Sequence, residues 1–258
     1  MVWPLLLALS VAALPGFVSA ESCVLPSQHA GMSFPVEKVD SLWACRLHSI
    51  ISNYSTANKV GPIRAALSES MYRYLLDRPP LAAALIKRLD LAPYKSEQRG
   101  PGRYWGNDGE GTEGTVELVY QDRTSRIYYL EGTHHSRLLP NMRGKAVVLL
   151  RMHPVNETSG AEAMDSTMVA YLKLDNRILS GLVSLLRPLI GGTITRKLVK
   201  GVEVVNRLGI EMRQHPDRVL AEAMDSPPLP DVDVVFLKQA LTDLQSSGRT
   251  HQKGQLTK

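Results

Sequence analysis

Two adjacent histidines, His134 and His135, stand out in a chain that has seven in all. An imidazole can ligate a metal, move a proton near neutral pH, or orient a ligand through a hydrogen bond. The stretch around them alternates like a strand, so the two rings point to opposite faces and cannot hold one ion together. His153 lies two residues past Arg151 on the next strand. No His-Glu-x-x-His or Cys-x-x-Cys spacing completes a zinc site around these three. Asp108, Glu110 and Glu113 sit in a Gly-rich loop without EF-hand spacing and read as an acidic hairpin tip. No metal and no cofactor is expected. Phosphate-loop and nucleophile-elbow motifs are missing too. What remains is Glu131, His135 and Arg151, a polar set on neighbouring strands that can do acid–base work if water is excluded. The alternative is a solvated sheet face. One histidine is expected on the concave side of the sheet, where it would orient a ligand, and the other in solvent.

Several elements must position these groups. From Ile63 to Leu91 the apolar residues recur at helical spacing, and Asp77-Arg78-Pro79-Pro80 divides them into a bent pair of short helices. The Gly-rich stretch from Arg99 to Thr115 follows, with a short strand expected around Arg103 to Trp105. The period then changes to two. Val116, Leu118 and Tyr120 alternate with polar residues, and a tight turn at Asp122 to Thr124 starts the next strand. The run from Gly144 to Pro154 is apolar almost throughout, as in a strand covered on both faces. A fourth strand spans Ser166 to Asp175. Short connections make these four an antiparallel meander.

The chain then turns helical. Leu182, Leu185, Leu186 and Leu189 form one stripe, and Pro188 with Gly191-Gly192 marks a kink or break. Ile194, Leu198, Gly201, Val205, Leu208 and Met212 continue at alternating steps of four and three, the strongest periodic signal in the chain. Gly201 is expected to let this helix approach a sheet closely. Beyond Pro227-Pro228, a short helix from Asp231 to Gln245 carries Val234, Leu237, Leu241 and Leu244, and the last dozen residues read as a disordered tail.

The first twenty residues are uncharged and apolar, broken by Pro15-Gly16, and end in Val18-Ser19-Ala20. They read as a secretory signal peptide cleaved after Ala20, with a periplasmic or secreted product. In an oxidising compartment the two cysteines, Cys23 and Cys45, are expected to form one disulfide that ties down the N-terminal segment. A net charge of +5 favours contact with an anionic membrane surface. Export and so mild a charge argue against a nucleic-acid partner.

A helix pair, antiparallel strands and a long striped helix satisfy their apolar faces when a curved sheet wraps the helix. The fold class is α+β. The order resembles the START-like (SRPBCC) helix-grip superfamily, on the segments Met71–Leu91, Thr115–Asp175 and Thr193–Met212. The domain would span residues 61–215, after an N-terminal segment 21–60 and before a C-terminal segment 226–258. Val60–Ala66 is the candidate first strand, and Arg99–Trp105 with part of Ser33–Tyr54 would supply others. The resemblance implies a cavity between sheet and helix for a lipid or another hydrophobic small molecule. Its expected lining is Trp105, Tyr120, Tyr129, His135, Arg151 and Tyr171. The expected function is that of an exported binding protein. An enzyme on the same scaffold acting through His135, Glu131 or Arg151 is the alternative. A non-catalytic envelope protein that binds a partner through Arg196, Lys200, Arg207 and the C-terminal helix is a third reading.

Overall fold

The computed structural model describes residues 23–135, 141–158, 160–175 and 183–255. The expected signal peptide lies outside these residues, as do Leu182 and the side chains of Leu185, Leu186 and Leu189.

The N-terminal segment is structured. It forms a small hairpin, β1 (Gln28–His29) and β2 (Met32–Ser33), then helix α1 (Ser41–Ile51). Asp40 caps α1 by accepting from the Leu42 N–H at 2.9 Å. The disulfide between Cys23 and Cys45 pins the start of the segment to this helix. No strand comes from Ser33–Tyr54 beyond the first residue of that stretch; an 11-residue helix with Leu47, Ile50 and Ile51 buried takes most of it.

The main sheet begins earlier than Val60, with β3 (Thr56–Ala65). The helix pair follows as α2 (Glu69–Asp77) and α3 (Pro79–Arg88). Ser68 caps α2, and Pro79 and Pro80 occupy the first turn of α3, where no N–H is needed. Ile63, read as helical from its spacing, belongs to β3. Then come β4 (Lys95–Gly100), β5 (Arg103–Asn107), β6 (Thr112–Gln121), β7 (Ser125–His134), β8 (Met142–Asn156) and β9 (Glu162–Leu174). Seven strands make one antiparallel sheet in the order β3-β9-β8-β7-β6-β5-β4. The Arg99–Trp105 stretch thus contributes to two strands.

Helix α4 (Val183–Gln214) runs through Pro188 and Gly191-Gly192 as one helix of 32 residues, so the break expected there is not a chain break. After it come α5 (Pro216–Met224), which the sequence reading missed, and α6 (Asp231–Gln255), longer than expected at its C-terminal end. No helix among the described residues is long and apolar enough to cross a membrane.

Register assigns the faces. Even-numbered residues of β7, β8 and β9 pair with one another and share the side on which α2, α3 and α4 pack. Leu150, Met152 and Met164 join Met71, Leu75, Leu85, Leu208 and Met212 in the larger core. Odd-numbered residues face away from α4. There Ile127, Tyr129, Val147, Leu149 and Val169 pack against Phe34, Val36, Leu47 and Ile50 of the N-terminal segment. The sheet is therefore covered on both faces, which explains the apolar run in β8.

Four glycines form a row across the concave face: Gly106 beside Gly114, Gly114 beside Gly132, Gly132 beside Gly144. A Cβ at Gly114 would lie 2.4 Å from the Glu131 carbonyl oxygen, and one at Gly132 would lie 2.5 Å from that of Glu113. At Gly114, Gly132 and Gly144 neighbouring strands approach more closely than a side chain permits, as the inner face of a curved sheet requires.

The C-terminal helices dock on the α2–α3 end. Tyr74 stacks on Phe236 at 3.5 Å and donates to Asp233 Oδ1 at 2.8 Å, while Arg78 pairs with the same carboxylate at 3.0 Å. Leu237 and Leu241 are buried in the larger core. Truncation of Leu237 to Ala leaves a cavity in the domain's own core and is expected to cost about 2–5 kcal/mol. A lowered urea midpoint for Leu237→Ala checks this; an unchanged midpoint would show that α6 is an appendage.

Candidate functional site

The concave face carries a strip of apolar residues at the middle of the sheet: Val116 and Leu118 on β6, Leu130 on β7, Ala146 and Val148 on β8. They are neighbours by register. All five are only partly buried, and none joins a packed core cluster among the described residues. Above them passes α4. Its backbone comes close at the edge, where a Cβ on Gly209 would lie 2.6 Å from the Ala66 carbonyl oxygen. Asn206 Oδ1 accepts from the Ala66 N–H at 3.0 Å, and Thr195 Oγ1 donates to Asn58 Oδ1 at 3.1 Å. Gly201 behaves differently from the expectation: a Cβ there meets no atom within 4 Å. It falls on the striped, sheet-facing side of α4 with Leu198 and Val205, yet no neighbour closes on it. The close approach belongs to Gly209.

One end of the strip is closed by packing. Tyr128, two residues from Leu130 on the same face, packs on the larger core. Beyond it Arg126 is buried, with its Nη2 2.7 Å from Asp77 Oδ1. The other end is polar. Lys197 of α4 donates to Asp108 Oδ2, and Lys200 to Glu110 Oε1. Asp108 Oδ1 accepts from the N–H groups of Glu110 at 2.8 Å and Thr112 at 2.9 Å. The acidic tip therefore faces lysines across the cleft and strapped α4 to the β5–β6 turn. Burial alone would raise the Asp108 carboxyl, but Lys197, the two N–H groups and the Thr112 hydroxyl outweigh it and hold it below the usual carboxylate range. Thr112 Oγ1 lies 2.9 Å from His134 Nδ1. Burial, and then Lys197, pushes this imidazole below the ordinary histidine value, with Asp108 opposing.

His134, not His135, is thus the histidine on the α4 side. His135 lies beyond the end of β7, exposed, with its N–H donated to the Gly111 carbonyl. The other five residues expected to line a cavity lie on the opposite face, away from α4. Trp105 pairs with Glu97 and Thr115 on that side. Tyr129 is buried at 5.4 Å from the Trp43 ring, with the Arg46 guanidinium over both rings. Arg151 donates to the Ser33 carbonyl and sits 5.3 Å from the Phe34 ring. Tyr171 meets His29 Nδ1 at 3.0 Å. Tyr120 reaches this face because register slips between Leu118 and Tyr120, so Val116 and Leu118 face α4 while Tyr120 opposes Ile127. The structure brings Tyr120, Tyr129 and Tyr171 together in the core of the N-terminal layer, and Trp105 is not part of it.

The polar set of Glu131, His135 and Arg151 is dispersed. Glu131 pairs in register with Lys145 and Arg151 with Ser125, at opposite ends of β7. His153 opposes Asp165, remote from both other histidines. No group of three or more His, Cys, Asp or Glu side chains gathers as a metal site among the described residues. A hollow of about 520 Å³ lined by Ser52, Tyr54, Ser55, Thr56 and Ala57 opens at the start of β3, but it is polar and wide to solvent.

No family model matches the chain, and no curated protein matches it. Among solved structures, it is similar to a conserved protein from Geobacillus kaustophilus (11% identity, TM-score 0.43, 60% of this chain and 94% of that one). It is also similar to norcoclaurine synthase from Thalictrum flavum (16% identity, TM-score 0.39, 60% and 88% of the two chains).

The N-terminal layer carries its own titration. His29 is buried among Phe34 and Tyr171, and its Nε2 has no hydrogen-bond partner among the described residues. Burial lowers its pKa, against a smaller raising effect of the Pro26 backbone. The folded value lies below the unfolded one of about 6.5, so the stabilisation is complete above that pH. It is lost as pH falls through 6.5 toward the folded value, because the unfolded chain takes up the proton first. Urea midpoints followed from neutral to mildly acidic pH are expected to fall more steeply for the wild type than for His29→Gln. Parallel curves would show that His29 does not contribute.

Proposed function

We propose that this chain binds a hydrophobic small molecule or lipid in the cleft between the concave sheet face and α4. The observation that carries the reading is the apolar strip Val116, Leu118, Leu130, Ala146 and Val148, left out of the packed cores, while a Cβ on Gly201 in the stripe of α4 would meet no atom within 4 Å. Such cores are normally filled to near-crystalline density. An apolar wall with open space before it is the form that ligand sites take, with a few polar groups for orientation. Burying a ligand's body there would gain roughly 25 cal/mol per Å² of apolar surface removed from water.

An exported chain is the setting that fits this reading. The apolar first twenty residues support it, and so does the Cys23–Cys45 disulfide, since such bonds persist in oxidising compartments. Docking on a partner through α6 gains no support, because Leu237 and Leu241 of its stripe are buried in the chain's own core. The basic face of α4 is largely engaged as well: Lys200 pairs with Glu110 and Arg207 donates to the Leu91 carbonyl.

Gly201→Leu tests the proposal. The added side chain has room to enter the cleft, and leucine favours the helix by about 0.5–1 kcal/mol over glycine. The variant is expected to fold with an unchanged or raised urea midpoint. Purified without detergent and examined by native mass spectrometry with organic extraction, the wild type should carry or take up a lipid and the variant should not. Equal lipid content in both proteins would show that the cleft is not the site.

A further inference from the structure

The outer face of the sheet, away from α4, carries cations that the chain's own acids do not balance. Lys145 on β8 lies directly opposite Lys173 on β9. Like charges in that position destabilise a sheet. Glu131 lies opposite Lys145 on its other side, but Arg143 engages its carboxylate at 3.2 Å and the Tyr129 hydroxyl donates to it at 3.3 Å. Asp175 also pairs with Arg143, and no carboxylate among the described residues pairs with Lys145, Lys173 or Arg46. Lys173 donates to the Ser49 carbonyl of α1 at 2.9 Å, which fixes its ammonium beside that helix. One turn earlier, the Arg46 guanidinium lies 4.2 Å from the centre of the Trp43 ring and 4.6 Å from that of Tyr129. Apolar groups adjoin these cations. Leu42, 78% exposed, stands one turn before Arg46 on the same side of α1. Val24, 70% exposed, is brought to that helix by the neighbouring Cys23–Cys45 disulfide.

We propose that this surface docks the protein on an anionic lipid bilayer. Headgroup phosphates supply the negative charge that Arg46, Lys145 and Lys173 lack within the chain. Leu42 and Val24 enter the boundary between headgroups and acyl chains, where small apolar groups gain by leaving water. Trp43, half-buried at the same place, suits that boundary as aromatic side chains do. Its ring and that of Tyr129 hold the Arg46 guanidinium, so little side-chain freedom is lost on contact. The net charge of +5 acts in the same direction. A soluble polyanion would satisfy the cations but leave Leu42 and Val24 in water, which is why the combination favours a bilayer. The surface lies on the face of the sheet opposite the cleft and does not depend on what the cleft holds.

Co-sedimentation of the full chain with two kinds of vesicle tests this: phosphatidylcholine alone, and phosphatidylcholine mixed with phosphatidylglycerol. The wild type should bind the mixed vesicles more tightly, and added salt should weaken that binding. An apolar leader left on the chain would bind both vesicles alike, so the difference isolates the surface. Each cation is expected to contribute about fivefold, so the triple variant Arg46→Gln, Lys145→Gln, Lys173→Gln should bind the mixed vesicles about a hundredfold more weakly. If that variant fails to fold, Lys145→Gln alone should still weaken binding about fivefold, since its ammonium holds no carboxylate. Leu42→Ser should weaken vesicle binding by about fivefold and leave retention on a heparin column unchanged. Equal binding of both vesicles by the wild type, or mixed-vesicle binding that the charge variants leave untouched, overturns the proposal. So does heparin retention that the charge variants abolish in a chain that binds neither vesicle, which would assign the cations to a soluble anionic partner.

Discussion

The bend along the row Gly106, Gly114, Gly132 and Gly144 is the constraint on which the rest of the architecture depends. A flat sheet of seven strands would carry the β5–β6 turn far from a helix lying along β3. The bend brings Asp108 and Glu110 to Lys197 and Lys200 of that helix. Each of these ion pairs is partly exposed and contributes little to stability alone. Their value is positional: they hold one flank of α4 while Gly209, Asn206 and Thr195 hold the other against β3. The same glycines present no side chains to the helix, so the bend creates space and curvature together.

Burial on both faces then decides what each side chain can do. Strand geometry allots alternate residues to alternate faces, and a single register decides the role of the whole set. The aromatic and basic residues of the odd positions, Tyr129, Arg151 and Tyr171 among them, form the floor on which the N-terminal segment lies. The even positions divide into an end packed against α2, α3 and the C-terminal half of α4 and a middle whose residues join no core cluster among the described residues. The disulfide between Cys23 and Cys45 closes the first of these layers, holding the segment's start to α1 and leaving the second layer to differ in packing.

Much of this was legible in the amino-acid pattern. The alternation in β6 to β9, the proline between α2 and α3, and the stripe on α4 are local signals, and each produced the element that its period implies. The faces were not legible. The strand from Ser125 to His134 carries apolar and polar residues on both parities, because both faces are covered, and so its pattern names no inside. The slip at Val119 moved Tyr120 to the far face with no sign in the residue types. The α1 segment reads weakly because it is short and its buried residues, Leu47, Ile50 and Ile51, pack against sheet residues distant in sequence. Glycines within strands do signal a bend or a close backbone approach, and Gly114, Gly132 and Gly144 carried that signal. That they align into one row is a property of register, which only tertiary pairing supplies. His134 and Thr112 became a pair in the same way, 22 residues apart in sequence and adjacent across β6 and β7.

A partly buried apolar strip invites collapse: dropping α4 onto it would bury more surface. The attachments on the two flanks oppose this. On one side the backbones of Gly209 and Ala66 are already in contact, so the helix cannot sink further there without a clash. On the other, moving α4 inward would pull Lys197 away from an Asp108 that is also held by two backbone N–H groups, and would strand a half-buried carboxylate without its cation. On the proposed reading, a space kept open in this manner would cost stability in the free protein, and a ligand filling it would recover that cost without first having to order the walls. If the cleft takes a ligand as proposed, a helix held on both flanks would keep the shape of the site independent of its occupant, so that the walls could select by size.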